Sequence, residues 1–254
     1  MVKFFKNFYA GFAHVMLCMI QYEAQEVSTV FQGFSDATID FMWGIRFNNE
    51  RGWFNQHKDE YLQHFYEPMK ALNAELYQLM CDAFPHQTFL SKVSRIYRDA
   101  RRLHGRGPYR DCLWLSLQGP VEGWMDTPSF WFELTPDGWH YGLGMYCGHA
   151  VTAAKLRARM DADPAPMEKL TAMLNNQSEF VLDGPEYAKA KKPSSPILAP
   201  WYNKKYFSLI HTEPNSAVLY DRSLVERIFE GWKFLMPFYE YLSTVPGDPD
   251  PRYN

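Results

Sequence analysis

The sequence predicts an α+β fold in which N-terminal and C-terminal helices pack on an antiparallel sheet with a central hairpin. Three observations support this class. Apolar residues recur at helical spacing over residues 35–84, they alternate over residues 130–146, and helical spacing returns after residue 150. Helices followed by strands and then by helices are typical of α+β proteins, whereas repeated strand–helix units would indicate a parallel sheet.

The first helical region begins at Ser35, a preferred N-cap residue, and its periodic spacing ends at Asn48. A second helical stretch extends from about Glu50 to Phe84. Pro68 lies inside this stretch. Because proline lacks a backbone N–H and clashes one turn back, we expect a kink or two separate helices there.

The clearest local pattern is a hairpin over residues 130–146. Alternate positions on both of its strands are apolar: Phe130, Phe132, Leu134, Trp139, Tyr141, Leu143 and Met145. The segment Pro136-Asp137-Gly138 predicts the turn, with proline presetting its own φ and glycine taking a positive φ. Gly142 and Gly144 predict a bulge or close packing on the second strand.

The remaining elements are shorter. Strands are predicted at 89–98, 112–117, 180–182 and 206–210, and helices at 150–161 and 166–175. The proline-rich residues 189–201 predict a long loop. A final helix opens at Asp221 with a capping box at Ser223 and Glu226, and Pro237 bends its end.

The domain organisation follows from composition. We expect an extra N-terminal segment over residues 1–33, a single domain over 34–245 and a loose tail over 246–254. The apolar run 8–20 is too short for a membrane span. It is consistent with an appended helix or an unused upstream start codon, and a signal peptide remains the alternative.

Charge and cysteine usage exclude several classes. The net charge of −3 argues against a general nucleic-acid partner, and the sequence carries no cofactor or metal motif. The four cysteines are widely spaced, which is typical of reduced thiols in a cytoplasmic protein. The sequence indicates neither a reaction nor an oligomeric state, so catalytic residues stay unassigned.

A basic cluster distinguishes residues 92–110, which carry a net charge of +6 within an acidic chain. Like charges held together repel, so the cluster requires compensation. The arginines could pair with carboxylates in a structural network, bind a small anion such as a phosphate or carboxylate, or contact a nucleic acid or protein. If residues 95–101 are extended, Arg95 and Arg101 share one face and could clamp Asp99.

Several motifs resemble a bacterial family of uncharacterised proteins, domain-of-unknown-function family 2461. One resemblance is Arg95-x-x-Arg98-Asp99-x-Arg101 followed by Pro108-Tyr109-Arg110, and a second is Asn48-Asn49-x-x-x-Trp53-Phe54. The segments Gly142-x-Gly144-Met145-Tyr146, Leu156-Arg157 and Trp201-Tyr202-Asn203-Lys204-Lys205 also match. The resemblance covers about residues 34–242 and implies no known reaction.

The chain departs from the family pattern in the loop after the arginines. Arg102 replaces a phenylalanine, Gly105 replaces an acid, and Arg106 and Arg110 replace lysines. The arginine and aspartate core is retained, so an anion site or an ion-pair network built on it should survive.

The sequence therefore predicts a pocket for a small anionic ligand. Its predicted lining is Arg95, Arg98, Asp99, Arg101, Tyr109 and Arg110, with Asn49 and Trp53 nearby. Arg98 and Arg101 would hold the anion, and Asp99 would orient an arginine or act as a base. Lys204 and Lys205 could join this cluster beside aromatic walls. The alternative is a non-catalytic protein in which the same residues form a buried ion-pair network.

Overall fold

The structure, a computed structural model, describes residues 30–103, 105–120 and 124–253, without the side chains of Arg102 and Trp124. The interpretations made for residues 1–29 fall outside this part of the chain. The helices are α1 (Asp36–Phe47), α2 (Arg51–Gln56), α3 (Lys58–Glu60), a π-helix (Tyr61–Tyr66), α4 (Glu67–Ala83), α5 (Ala150–Ala162), α6 (Ala165–Asn175), α7 (Ala199–Tyr202) and α8 (Ser223–Ser243). None of these described helices combines the length and apolar character needed to cross a membrane.

The strands form one six-stranded antiparallel sheet in the described part of the chain. They are β1 (Leu90–Val93), β2 (Leu113–Gln118), β3 (Pro128–Thr135), β4 (Gly138–Met145), β5 (Val181–Asp183) and β6 (Phe207–Glu213), in the order β1-β2-β3-β4-β6-β5. The predicted α+β class with a central hairpin is confirmed. The strand predicted over 89–98 ends at Val93, and only Tyr97 pairs again, with Tyr109.

Alternation divides the sheet into a buried face and an open face. In the hairpin, Phe130 pairs with Leu143 and Phe132 with Tyr141, and all four side chains are buried. Helix α8 packs on this face, where Phe130 lies 5.0 Å from the ring of Tyr239. Helix α4 packs on the same sheet near β1 and β2.

The hairpin turn differs from the prediction in one respect. The turn consists of Pro136 and Asp137, and Gly138 is already the first residue of β4, paired with Thr135, without a positive φ. Glycine is required at position 138 by close approach, because a Cβ there would lie 2.5 Å from the backbone oxygen of Glu213.

Gly142 and Gly144 allow close packing on β4, and the pairing of β4 with both neighbouring strands is continuous through the two positions. A Cβ at Gly142 would lie 1.9 Å from the backbone oxygen of Leu209 on β6. The prediction of a bulge or close packing is thus resolved in favour of close packing.

The expected irregularity near Pro68 takes the form of the π-helix. Pro68 has no N–H to offer the carbonyl of His64, four residues earlier. The buried hydroxyl of Thr38 on α1 donates to that carbonyl instead. A hydroxyl on one helix therefore satisfies a backbone acceptor that a proline leaves open on another.

Both ends of the predicted domain carry specific contacts. Phe31 is buried, and its carbonyl accepts a 2.7 Å hydrogen bond from Arg222, so the compact unit begins three residues before the expected boundary at residue 34. In the segment 246–254, which we expected to be loose, Asp248 accepts two hydrogen bonds from Arg159, at 2.5 and 2.6 Å.

At the start of α8, Asp221 accepts the N–H of Ser223 at 2.6 Å, so Asp221 performs the capping that we assigned to Ser223.

Candidate functional site

The basic cluster folds back on itself as two short antiparallel segments. The N–H of Arg98 donates to the carbonyl of Pro108 at 2.8 Å, and that of Arg110 donates to Ile96 at 2.7 Å. This pairing places Arg98 beside the backbone of Tyr109. The backbone of the cluster is therefore held by hydrogen bonds that do not depend on its charges.

Asn49 holds this loop through a pair of reciprocal hydrogen bonds. Its Nδ2 donates to the carbonyl of Tyr109 at 3.0 Å, and its Oδ1 accepts the N–H of Tyr109 at 2.9 Å. Gly107 permits this approach, because a Cβ there would lie 2.1 Å from Asn49 Oδ1. The predicted site residue Asn49 is thus a clamp on the backbone of the loop.

Arg98 points into the protein and joins an ion-pair network. Its Nε donates to the carbonyl of Tyr109 at 2.7 Å, and its Nη2 lies 3.5 Å from Asp111. Asp111 also accepts from Arg46 at 2.5 Å, and Arg46 reaches Asp137 at 2.8 Å. The Arg98 side chain is 19% exposed, so the network is only partly buried.

Arg101 points into solvent, with 86% of its side chain exposed. Its Nη2 lies 2.8 Å from Asp99, which also accepts the backbone N–H of Arg101 at 3.0 Å. The contact between Asp99 and Arg101 predicted along a strand is formed by a 3-10 turn instead. Arg95 is exposed, and the extended segment proposed to align it with Arg101 ends earlier.

The predicted aromatic members lie in different surroundings. Tyr109 is buried and stacks on Phe54 at 4.3 Å, and burial raises its pKa although the nearby Arg51 opposes the shift. Trp53 stacks on His57 at 3.9 Å and packs against Gly44. The structure therefore brings Asn49, Arg98 and Tyr109 together, whereas Arg95 and Arg101 are exposed.

Lys204 also has a local role. Its ammonium donates to the carbonyl of Gly184 at 2.8 Å and to Glu186 at 3.1 Å, which ties the segment after α7 to the segment after β5. Trp201 is buried in the core against Phe207. Lys204 therefore does not join the arginines, and the buried Trp201 does not form an open aromatic wall beside it.

A separate hollow lies on the open face of the sheet. It has a volume of about 490 Å³ and is lined mainly by side chains from the alternate positions that face away from the core. Trp114 and Trp131 come from β2 and β3, and Tyr146 and Tyr206 flank β4 and β6. Sequence reasoning missed this hollow, although the alternation that buries Phe130 necessarily turns Trp131 to the other face.

Glycine keeps this face accessible. A Cβ at Gly144 would lie 3.3 Å from Nε1 of Trp131 and 3.0 Å from the hydroxyl of Ser208. The missing side chain leaves room above β4 between the two neighbouring strands. Any larger residue at position 144 would fill part of the hollow.

A single cation, Lys92, lines this hollow among the described residues. Its ammonium lies 5.6 Å from the centre of the Trp114 ring, within cation–π distance. No carboxylate in the described part of the chain forms an ion pair with Lys92. Lys92 is also the first member of the basic cluster, so this hollow includes one end of that cluster.

A polar cluster centred on Asp126 lies next in sequence to Thr127, which lines the hollow. Asp126 accepts the hydroxyl of Thr152 at 2.6 Å, the backbone N–H of His149 at 3.1 Å and the imidazole of His149. Burial opposes the charge on Asp126, but these hydrogen bonds outweigh it and hold the pKa of the carboxyl below its ordinary value. The arrangement fixes the start of α5, and no sequence motif signalled it.

A smaller hollow of about 360 Å³ lies beside α1 and the π-helix, lined by Trp53, His57, Glu60 and His64 among others. Within the residues that the structure describes, no group of three or more potential ligands is arranged to hold a metal ion.

The model of a family described as a conserved hypothetical protein, DUF2461, matches residues 37–241. No curated protein matches the chain.

Proposed function

The chain belongs to the DUF2461 family, and we propose that it binds a small anionic ligand that carries a ring, in the hollow on the open face of the sheet. The ligand class is the one the basic cluster suggested, but the binding site differs. The observation that supports it is the Lys92 ammonium over the Trp114 ring inside the 490 Å³ hollow. This volume is in the range of small-molecule sites.

The charge of Lys92 supports an anionic ligand. Lys92 lies on an edge strand and has no carboxylate partner among the described residues, so its ammonium is available to a phosphate or carboxylate of a ligand. The adjacent indole supplies an apolar face, which suits a ligand with a ring next to its anionic group. The combination favours a ring-bearing acid over a simple inorganic ion.

We assign Arg98 a structural role, because it donates to a backbone carbonyl and shares Asp111 with Arg46. This role resembles the ion-pair alternative, although Arg101 at the surface takes no part in it. A cytoplasmic location is also part of the proposal, consistent with the free thiols of Cys112 and Cys147.

Binding can be tested with glucuronate and a nucleoside monophosphate as anionic probes and glucose as the neutral probe. We expect either or both anions to raise the melting temperature and quench tryptophan fluorescence in the wild type, but not in Lys92→Gln. Lys233→Gln is the matched control, because Lys233 is a surface lysine paired with Glu230 on α8. Absence of any response to the anions, or an equal response in Lys92→Gln, would overturn the proposal.

A further inference from the structure

The hollow is elongated across the strands. Its lining runs from Lys92 on β1 to Ser208 on β6, with β2, β3 and β4 between them. Four inter-strand spacings correspond to about 19 Å. A single sugar or nucleobase ring is much shorter than this distance, so a one-ring ligand would leave most of the hollow unoccupied.

Aromatic rings occur along the whole length of the hollow. Trp114 lies at the end marked by Lys92, and Trp131 lies on the central strand. At the opposite end, Tyr146 and Tyr206 lie 5.1 Å apart, and both are more than two-fifths exposed. Successive flat faces of this kind suit a ligand composed of several rings in a row.

The polar groups between the aromatic rings are neutral. Ser116 and Ser208 contribute hydroxyls, and Gln118 contributes an amide. These groups both donate and accept hydrogen bonds, which matches the hydroxyl groups of sugars. The hydroxyl of Ser129 donates to the carbonyls of Leu117 and Phe130, so towards a ligand it acts as an acceptor. A nucleic-acid strand carries a phosphate at every step and requires several cations along its path, whereas only Lys92 is present among the described lining residues.

We propose that the ligand is a short acidic oligosaccharide, with its acid group at Lys92 and its last ring at Tyr146 and Tyr206. The inference rests on the proposed function and specifies its ligand class. It also predicts a direction of binding across the sheet, from β1 to β6. Charge contributes at the Lys92 end, and ring stacking contributes along the whole length of the hollow.

The test compares glucuronate with an acidic trimer, a linear trisaccharide that carries one glucuronate at its non-reducing end and two neutral sugars after it, in titration calorimetry, together with the neutral maltotriose. We expect the wild type to bind the acidic trimer at least about tenfold more tightly than the monomer, a difference of about 1.4 kcal/mol. Tyr206→Ala should lower the affinity for the trimer to that for the monomer and leave monomer binding unchanged. Tyr253→Ala is the matched control, because Tyr253 is an exposed tyrosine near the C-terminus.

The outcomes separate the two proposals. If the monomer binds in a Lys92-dependent way and the trimer binds no more tightly, the oligosaccharide inference is wrong and the proposed function stands. If neither acid binds, the oligosaccharide inference is wrong, and the proposed function fails as well when the nucleoside monophosphate does not bind either. If Lys92→Gln binds both acids unchanged, both proposals fail. Equal affinity for maltotriose, or tighter binding of a trinucleotide than of the acidic trimer, would also contradict the inference.

Discussion

Replacing Asn49 tests how the backbone of the basic cluster is held around Tyr109. Asn49→Ala removes two hydrogen bonds, of 2.9 and 3.0 Å, to the backbone of Tyr109. The carbonyl of Tyr109 keeps its bond from Arg98, but its N–H loses its partner in a buried position. One lost bond costs about 1 kcal/mol and a buried unsatisfied N–H about 1–3 kcal/mol, so the free energy of unfolding should fall by about 2–4 kcal/mol.

The assay is urea denaturation, with thermal melting and amide hydrogen exchange as supporting measurements. A loss of 2–4 kcal/mol corresponds to a decrease in Tm of about 4–8 °C for a chain of this length. The amide of Tyr109 should exchange slowly in the wild type and rapidly in Asn49→Ala.

The neighbouring asparagine provides the control. Asn48 makes an exposed 3.0 Å hydrogen bond to Gly44, so Asn48→Ala should cost less than about 1 kcal/mol. If the two variants lose equal stability within about 0.5 kcal/mol, or if the Tyr109 amide remains protected in Asn49→Ala, Asn49 does not clamp the loop.

Three further predictions follow from the fold. Gly142→Ala should lower the free energy of unfolding by about 1–3 kcal/mol, because its Cβ would lie 1.9 Å from a backbone oxygen. Gly52→Ala on α2, where the Cβ meets nothing within 4 Å, should raise it by about 0.5–1 kcal/mol. Urea unfolding of both variants measures these changes. Arg98→Ala should cost about 1.5–3 kcal/mol and the exposed Arg101→Ala less than about 1 kcal/mol, and equal losses would contradict the assignment of Arg98 to the network. The contribution of Asp126 to stability should be complete above about pH 4 and should decrease as the pH falls through the lowered pKa of the folded state. Asp126→Asn should therefore be less stable than the wild type at neutral pH, and its stability should depend less on acid. Parallel stability curves of the two proteins from pH 6 to pH 3 would refute this.

The elements that the sequence predicts well are those determined by local periodicity. The hairpin of β3 and β4 has the predicted alternation, and α1 begins after Ser35 as expected. Both features depend on residues within a few positions of one another. The irregularity near Pro68 is local for the same reason, but its support by Thr38 comes from another helix and has no local signal.

The candidate site is harder to predict because its partners are distant in sequence. The arginines are adjacent in the chain, yet Arg98 turns inward to Asp111 while Arg101 turns outward. That division depends on the return of residues 108–110 alongside residues 96–98, which the charge pattern does not encode. The hollow assembles lining from five strands and their flanks, and only the strand order reveals that Lys92 and Tyr206 lie at opposite ends of it.

The π-helix has a consequence for how this region tolerates changes in length. A π turn inside a helix contains one residue more than the α geometry requires. Deleting one residue within Tyr61–Tyr66 would allow the chain to return to α geometry while Met69 and Leu72 of α4 kept their inward orientation. An inserted residue could not be accommodated by such a return to α geometry, and it would rotate the apolar stripe of α4 away from the sheet.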